Sequence, residues 1–464
     1  MSLSHHQNQK FESPLPSLAT ESRLTFRLAL PLIIGQLSQM LLGLADTIMI
    51  GKLGVPHLGA STIATNLLIV PLMLGFGLLS SISVRVSQAH GANQPDEAAK
   101  ALRHGTWLAL AFGLLAALGS IAIVPFLSSM RQPEEVVFLV PTFLITCGIS
   151  IIPALLGMAW KSHADALNRP WIPFWIQLGG VLLNILLNWI LIWGKLGLPA
   201  FGLEGAGYAT LLSRIITAVL MFQWLTRAAF AKPWLPKRWL APCDIATFKN
   251  LLIIGIPASL HLLTEVGAFS ACTLMIGTLG AIPLAAHQVA LNCASTTFMI
   301  PLGVGMAMTV RVGEIVGSGL PHEHARLRRV LLSGWLFAVG FMILSMLMFF
   351  FYGAWIAHQF VADSEVVRLA AKLLIIAAIF QMADGFQVVS VFALRGINDV
   401  KVPARMVFVA YWLIAIPLGL WFGLHKQWGV EGIWWPLALG LGIAAVVLGR
   451  RAWRKLISST PRPN

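Results

Sequence analysis

Long apolar runs, separated by short polar stretches, fill this chain from residue 28 almost to its end. Twelve of them are long enough to cross a bilayer as α-helices. They fall at 28–50, 59–83, 105–127, 136–158, 172–193, 203–226, 250–274, 283–309, 330–352, 366–392, 403–424 and 431–449. The pattern is also written twice. Pro31 opens a stretch that is read again from Pro257, about 226 residues later. Met49, Ile50, Gly51, Leu53 and Gly54 return as Met275, Ile276, Gly277, Leu279 and Gly280. Asn66 returns as Asn292, Val84-Arg85-Val86 as Val310-Arg311-Val312, and Gly91 as Gly317. Asn168 and Pro173 match Asn398 and Pro403, and Gly202 to Gly205 match Gly429 to Gly432. A repeat this long is a duplicated domain and not a solenoid unit. Six spans fit one repeat length, which supports the count of twelve.

Composition agrees: 57% of residues are hydrophobic and 11% charged, against roughly 25% charged in a soluble chain. The net charge of +14 raises the question of nucleic acid, but its distribution answers it. With both termini in the cytoplasm, about 25 Lys and Arg fall on that side and about 4 on the other, the positive-inside pattern. Arg227, Lys232, Lys237, Arg238 and Lys249 lie between the halves, and Arg450, Arg451, Arg454 and Lys455 near the end. An even number of spans per half makes the halves enter from the same side. The expected fold is therefore an all-α membrane protein of twelve transmembrane helices in two six-helix lobes, related by a pseudo-twofold along the membrane normal. The expected divisions are an unstructured cytoplasmic stretch 1–22, an N-lobe 23–226, a cytoplasmic linker 227–249, a C-lobe 250–449 and a basic cytoplasmic tail 450–464. No cleavable signal is evident. Cys147, Cys243, Cys272 and Cys293 lack metal spacing and read as small packing residues.

Against this apolar background three acids stand inside spans: Asp46, Glu265 and Asp384. A charge at a helix centre costs roughly 2.5–3.5 kcal/mol on insertion scales, so such residues face polar cavities. Glu265 and Asp384 share a lobe and a depth. Two carboxylates in a dry site cannot both ionise cheaply, so the pair can hold a proton or clamp a small cation such as sodium. Under the repeat, Glu265 corresponds to Gln39 and Asp46 to Cys272, so each lobe keeps a different acid. Asn184 and Asn188, one turn apart, can sit beside Asp46. Gln288 and Asn292 have the same spacing, and Gln36, Gln39, Gln381 and Gln387 are further polar positions within spans. Pro31 and Pro257 are the repeat-related prolines of the helices that carry Asp46 and Glu265. They are hinge candidates or static bends; Pro71, Pro153, Pro301 and Pro417 also fall inside spans.

These residues carry a resemblance. Gly43 through Gly51, with Asp46 at its centre, resembles the first-helix signature of the multidrug and toxic compound extrusion (MATE) family. Gly255-Ile256-Pro257 through Glu265 to Gly277 is similar to its seventh helix. Gln381 to Gln387, followed by Leu394-Arg395-Gly396, is similar to its tenth helix and following loop. The likeness covers roughly residues 25–450, and its carboxylates match the NorM-like branch. It implies an inner-membrane antiporter that admits protons or sodium and expels amphipathic, often cationic, organic compounds. Glu265 and Asp384 would form the C-lobe cation site, Asp46 the N-lobe acid, and Asn184 and Asn188 its polar partners. Some sodium-coupled relatives have a Tyr where Phe380 stands, and a ring without a hydroxyl cannot ligate sodium, though its face can touch a cation.

The expected partners are thus small organic substrates, a coupling cation and the bilayer, with no cofactor, nucleic acid or ATP, and a chain that works as a monomer. The Gly-containing stretches 91–103 and 317–329 lack the P-loop Lys and Ser/Thr. A gradient of 100 mV supplies about 2.3 kcal/mol per charge, enough for roughly 50-fold accumulation. A dedicated metabolite exporter on the same scaffold is the alternative. A lipid-linked precursor flippase would need more embedded cations than Arg214. An intramembrane enzyme would rest on His163 and Asp165, expected in a cytoplasmic loop with no nucleophile motif.

Overall fold

The computed structural model describes residues 15–130, 133–320 and 322–457. Twelve of its helices are long and apolar enough to cross a membrane. They are α1 (Leu18–Gly51), α2 (Val55–Gly91), α3 (Pro95–Ala122), α4 (Glu134–Ala166), α5 (Trp171–Trp193) and α6 (Gly202–Arg227), then α7 (Ile245–Gly277), α8 (Ala281–Ser318), α9 (Glu323–Phe360), α10 (Ser364–Gly396), α11 (Lys401–His425) and α12 (Glu431–Ile457). Among the described residues there is no strand. Each apolar run falls on one of these helices, except that 105–127 passes the end of α3 at Ala122 into a short 3-10 helix, Val124–Met130.

Most helices run beyond the apolar stretch that announced them, because hydropathy marks the membrane-facing length and not the capped polar ends. The stretch expected to be unstructured, 1–22, ends earlier than that. Ser17 caps α1, its hydroxyl accepting from the Thr20 amide, so residues 18–22 are helical; residues 1–14 lie outside the described ones. Asp244 caps α7, accepting from the Ala246 amide and the Thr247 hydroxyl, so that helix takes up the end of the linker. His163 and Asp165 are not in a loop: α4 continues to Ala166 and buries both. Gly54 and Gly280, 226 residues apart, hold the tight α1–α2 and α7–α8 turns at φ 122° and 119°, a region closed to other residues.

The two lobes repeat one packing scheme. In the N-lobe α4 packs against α2, α3 and α6, and α1 against α5. In the C-lobe α10 packs against α8, α9 and α12, and α7 against α11. The two large apolar cores are separate, except that Leu28, Ala29 and Leu32 of α1 join the C-lobe core, while smaller clusters pack Leu251 and Ile254 of α7 against Leu78, Leu108 and Val84 of the N-lobe.

Between the lobes, contact follows the repeat as well. A Cβ built on Gly91 would lie 1.9 Å from the Glu314 carbonyl oxygen, and one on Gly317 would lie 1.9 Å from the Gln88 carbonyl oxygen. Gly77 meets the Ser259 backbone at 2.3 Å and Gly303 the Ile33 backbone at 2.8 Å by the same construction. In each case one contact is the 226-residue image of the other, so α2 and α8 cross through the reciprocal seats at Gly91 and Gly317, and each seats on the first helix of the opposite lobe, α7 at Gly77 and α1 at Gly303. Asn168 donates to Glu314 Oε1 at 3.1 Å, and its counterpart Asn398 donates to Gln88 Oε1 at 3.3 Å. Around this crossing the fully buried Glu21 receives both Arg311 and Arg326, and Arg329 donates to the carbonyls of Leu15 and Pro16. Among the described residues, the hydrogen bonds between lobes lie toward this end, where α1 starts and α12 stops.

At 100° per residue, Gln288, Asn292 and Thr296 stand on the same face of α8 as Gly303, Gly313 and Gly317. Thr62 and Asn66 stand on the corresponding face of α2. Past the crossing these residues are exposed. The lobes therefore part toward the far end and leave a polar-edged cleft.

Candidate functional site

Asp46 lies on α1 where it packs against α5. Asn188 Nδ2 donates to Asp46 Oδ1 at 2.5 Å and reaches Asn184 Oδ1 at 3.0 Å. Asn184 Nδ2 reaches Ser213 Oγ at 3.3 Å and Thr210 Oγ1 at 3.4 Å on α6. Both asparagines are buried, 1% and 0% exposed. The one-turn spacing on α5 thus sets Asn184 behind Asn188, and of the two it is Asn188 that bonds Asp46. Gly180, one turn earlier, lets α5 approach: a Cβ there would sit 2.2 Å from Thr217 Oγ1. An unpaired buried polar group costs about 1–3 kcal/mol, so this chain of amides and hydroxyls holds Asp46 in place. Arg214, tied to Ser150 Oγ at 2.8 Å, lies within electrostatic reach of Asp46.

In the C-lobe α7 packs on α2 and α11 while α10 packs on α8, α9 and α12. Glu265 and Asp384 meet across the interior between them, within electrostatic reach of each other. Asp384 is 7% exposed, and its Oδ1 has no hydrogen-bond partner; Glu265 is half-buried. Tyr411, fully buried, stands near both acids and donates to Gln387 Oε1 at 3.4 Å. It sits in a π-helical turn of α11, Val409–Ala415, with a second, Leu420–His425, just after Pro417. The proline cannot give its i→i−4 bond, which favours such widened turns.

Other sequence candidates have different positions. Gln381 pins α10, accepting from Ser345 Oγ at 2.8 Å and donating to Thr297 Oγ1 at 2.9 Å. Phe380 is buried with its ring against Trp434, centroids 5.8 Å apart, and does not open onto the cleft. Gln39 is exposed on α1, and Gln288 and Asn292 are exposed on α8. Pro31 and Pro257 sit beside the lobe crossing, within two residues of Ile33 and of Ser259, the two backbones on which the glycine seats close. Cys147, Cys272 and Cys293 are buried and Cys243 is exposed. Among the described residues, no cluster of His, Cys, Asp and Glu has the arrangement of a metal centre.

Two residues escaped the sequence reading as site candidates. His261 is one turn before Glu265 on the same face of α7, 3% exposed, with neither ring nitrogen hydrogen-bonded. Arg395, 4% exposed in the last turn of α10, lays its guanidinium 4.2 Å from the Phe392 ring centroid, with Nε unbonded. It lies within electrostatic reach of Glu265 and of His261. The signal for His261 was its i−4 spacing from Glu265; Arg395 had been read as part of a following loop.

The MatE family model matches residues 31–190 and again 257–421, two stretches that begin 226 residues apart. The chain belongs to the multidrug and toxic compound extrusion family. It is 35% identical over 437 residues to the probable multidrug resistance protein NorM of Xylella fastidiosa strain 9a5c, covering 94% of this chain and 92% of that one. It is 34% identical to the multidrug resistance protein NorM of Burkholderia vietnamiensis, with 97% of each chain covered. Among solved structures it resembles the eukaryotic MATE transporter AtDTX14, with a TM-score of 0.85, 20% identity and 95% of this chain covered. A MOP-superfamily transporter from Pyrococcus furiosus has a TM-score of 0.84 at 21% identity. Members of the MATE family are transporters and not enzymes, so this chain is a multi-pass membrane protein of a multidrug-efflux family.

Proposed function

We propose that this MATE-family chain is a cation-coupled antiporter. It exports amphipathic, often cationic, organic compounds by alternating access and takes in protons or sodium. The observation that carries the reading is the pairing of the half-buried Glu265 with the buried Asp384, one of whose carboxylate oxygens is free of partners, inside a bundle closed at one end and cleft at the other. Carboxylates in an apolar chamber bind a proton, a sodium ion or an organic cation in the same place. Antiport needs ion and drug to favour different states, and competition for one pair of acids meets that need. Asp46, held by Asn188, is the second titrating acid, and Pro31 and Pro257 are the hinges. No cofactor or nucleotide takes part, and one chain holds the whole pathway. In the inner membrane, with both termini cytoplasmic, the closed end faces the cytoplasm and the cleft faces outward.

The test is ethidium efflux from everted vesicles under separate pH and sodium gradients, comparing wild type with Glu265→Gln, Asp384→Asn and Asp46→Asn. Export driven by one gradient and lost in the C-lobe variants, with the protein still in the membrane, is the expected result and names the ion. Efflux unchanged by all three substitutions would overturn the mechanism. No dye export under any gradient would favour a dedicated metabolite exporter.

A further inference from the structure

The linker between the lobes is pinned along α3. Trp239 turns its ring onto Phe222 of α6, centroids 5.5 Å apart, and its carbonyl accepts from the Trp107 indole of α3 at 3.2 Å. Three residues on, the Pro242 carbonyl accepts from Arg103 at 3.2 Å. The Asp244 amide then donates to His104 Nε2 at 2.8 Å, so the Nδ1–H of that ring donates to the Lys100 carbonyl, also at 2.8 Å. Arg103 and Trp107 are one turn apart and straddle residue 105, where the apolar run of α3 begins. Tryptophan belongs at the boundary between hydrocarbon and water. The stretch 239–244 is therefore a shelf held at the level of the lipid headgroups.

The shelf presents apolar and basic side chains together. Leu240, between the two anchored carbonyls, is 83% exposed, and Ile245 is 79% exposed. Lys237, Arg238 and Lys249 are exposed beside them. Among the described residues, none of these three side chains has a hydrogen-bond or ion-pair partner. The linker 227–249 holds five basic residues, the others being Arg227 and Lys232, and one acid, Asp244. That acid is turned inward to cap α7, and Glu97 on α3 is paired with Lys100 at 2.8 Å. An open groove of about 480 Å³ follows the shelf, lined by Arg238, Trp239, Leu240, Ala241 and Pro242. A solvated charge run has no use for exposed leucine and isoleucine. At headgroup level, however, hydrocarbon covers the aliphatic side chains while phosphate meets the cations.

We propose that this shelf is a binding site for an anionic phospholipid, whose phosphate pairs with Arg238 in the groove and whose acyl chains lie against Leu240. On the orientation proposed above, the lipid belongs to the inner leaflet. The inference rests on the chain's place in a bilayer and not on the antiport reading.

Cys243, the exposed cysteine, follows the groove-lining Pro242 and serves as the reporter. Purified full-length protein in a non-ionic detergent is alkylated with N-ethylmaleimide, an uncharged reagent. Short-chain phosphatidylglycerol, the matching phosphatidylcholine or glycerol phosphate is titrated in. Phosphatidylglycerol should slow the reaction saturably, at concentrations about fivefold below those needed of phosphatidylcholine, the factor that one cationic contact at a membrane surface contributes. Arg238→Gln, an exposed substitution that leaves the fold intact, should erase that advantage, and Arg238→Lys should keep it. Leu240→Gln should weaken protection by both lipids. Equal protection by phosphatidylcholine would leave an apolar groove that does not select charge, and equal protection by glycerol phosphate would make this a free-phosphate site; either overturns the proposal. Native mass spectrometry of the same proteins gives a readout independent of the thiol. Wild type should retain more phosphatidylglycerol than Arg238→Gln does, and equal retention overturns the site.

Discussion

Gly91 and Gly317 offer the most direct perturbation of the closed end. Alanine at either position puts a methyl group 1.9 Å from a carbonyl oxygen of the other lobe. That oxygen belongs to backbone, which cannot rotate away as a side chain can. Restoring an ordinary contact of about 3.4 Å means parting the helices by roughly 1.5 Å at the point where they cross. Overpacking of this kind costs about 1–3 kcal/mol. Because the strain exists only while the lobes are shut, it shifts the equilibrium toward the open crossing by roughly 5- to 150-fold. Ser259 is a suitable reporter: it is 5% exposed and its hydroxyl donates to the Leu74 carbonyl at 2.6 Å across the interface. A cysteine there, in a Cys243→Ser background that removes the exposed native thiol, should react with a water-soluble maleimide only when this end opens. Its labelling rate should rise by the stated factor in Gly91→Ala and in Gly317→Ala. The double variant should give less than the product of the two, since both act on one crossing. Gly340→Ala, where an added Cβ meets nothing within 4 Å, should leave the rate alone. Equal rates in the parent and all four variants would refute the account of the crossing as a pair of reciprocal glycine seats.

Two further outcomes follow from the same end of the molecule. Glu21→Gln removes the acid shared by Arg311 and Arg326. Breaking a buried pair in this way costs about 3–5 kcal/mol, so the variant should speed labelling at position 259 and lower the melting temperature. A variant as stable and as closed as wild type would show that the arginines find other partners. At the start of α7, the Thr247 hydroxyl and the Ala246 and Thr247 amides hold the partly exposed Asp244 carboxyl below the usual aspartate range. Its contribution is present above the unfolded-state value and is lost as the pH falls through the lower folded one. The protection of amides in the first turn of α7, measured against the intrinsic exchange rate at each pH, should therefore fall in acid in wild type, whereas Asp244→Asn, still a capping residue, should show a flatter profile.

Much of the fold was legible in the sequence, for a physical reason. A bilayer forces every span to satisfy its own backbone, so a long apolar run has one outcome. The 226-residue offset then paired the halves. The parts that were not legible belong to longer range or to helix ends. The repeat made Gly91 and Gly317 equivalent, but nothing in it said that each would close on the residue three positions before the other. His163, Asp165 and Arg395 were drawn outside their helices because hydropathy falls before the helix stops. The asparagines of α5 were found because one turn of spacing is a local property; His261 has a single neighbour at that spacing, within an otherwise apolar stretch.

The two halves have diverged in their chemistry but not in their joints. Gln39 stands where the other lobe has Glu265, and Cys272 stands where the first has Asp46. The glycines that let the lobes close recur in both copies at 77 and 303 and at 91 and 317. A lobe that lost one of these glycines would strain the shared crossing whatever its own interior did. A lobe that exchanged an acid for an amide would alter only its own charge. The crossing therefore ties the copies together, while each interior is free to change by single substitutions. On the antiport reading proposed above, the acids that differ between the lobes are where this scaffold would set what it exchanges, and the reciprocal glycines are where it would keep both lobes moving together.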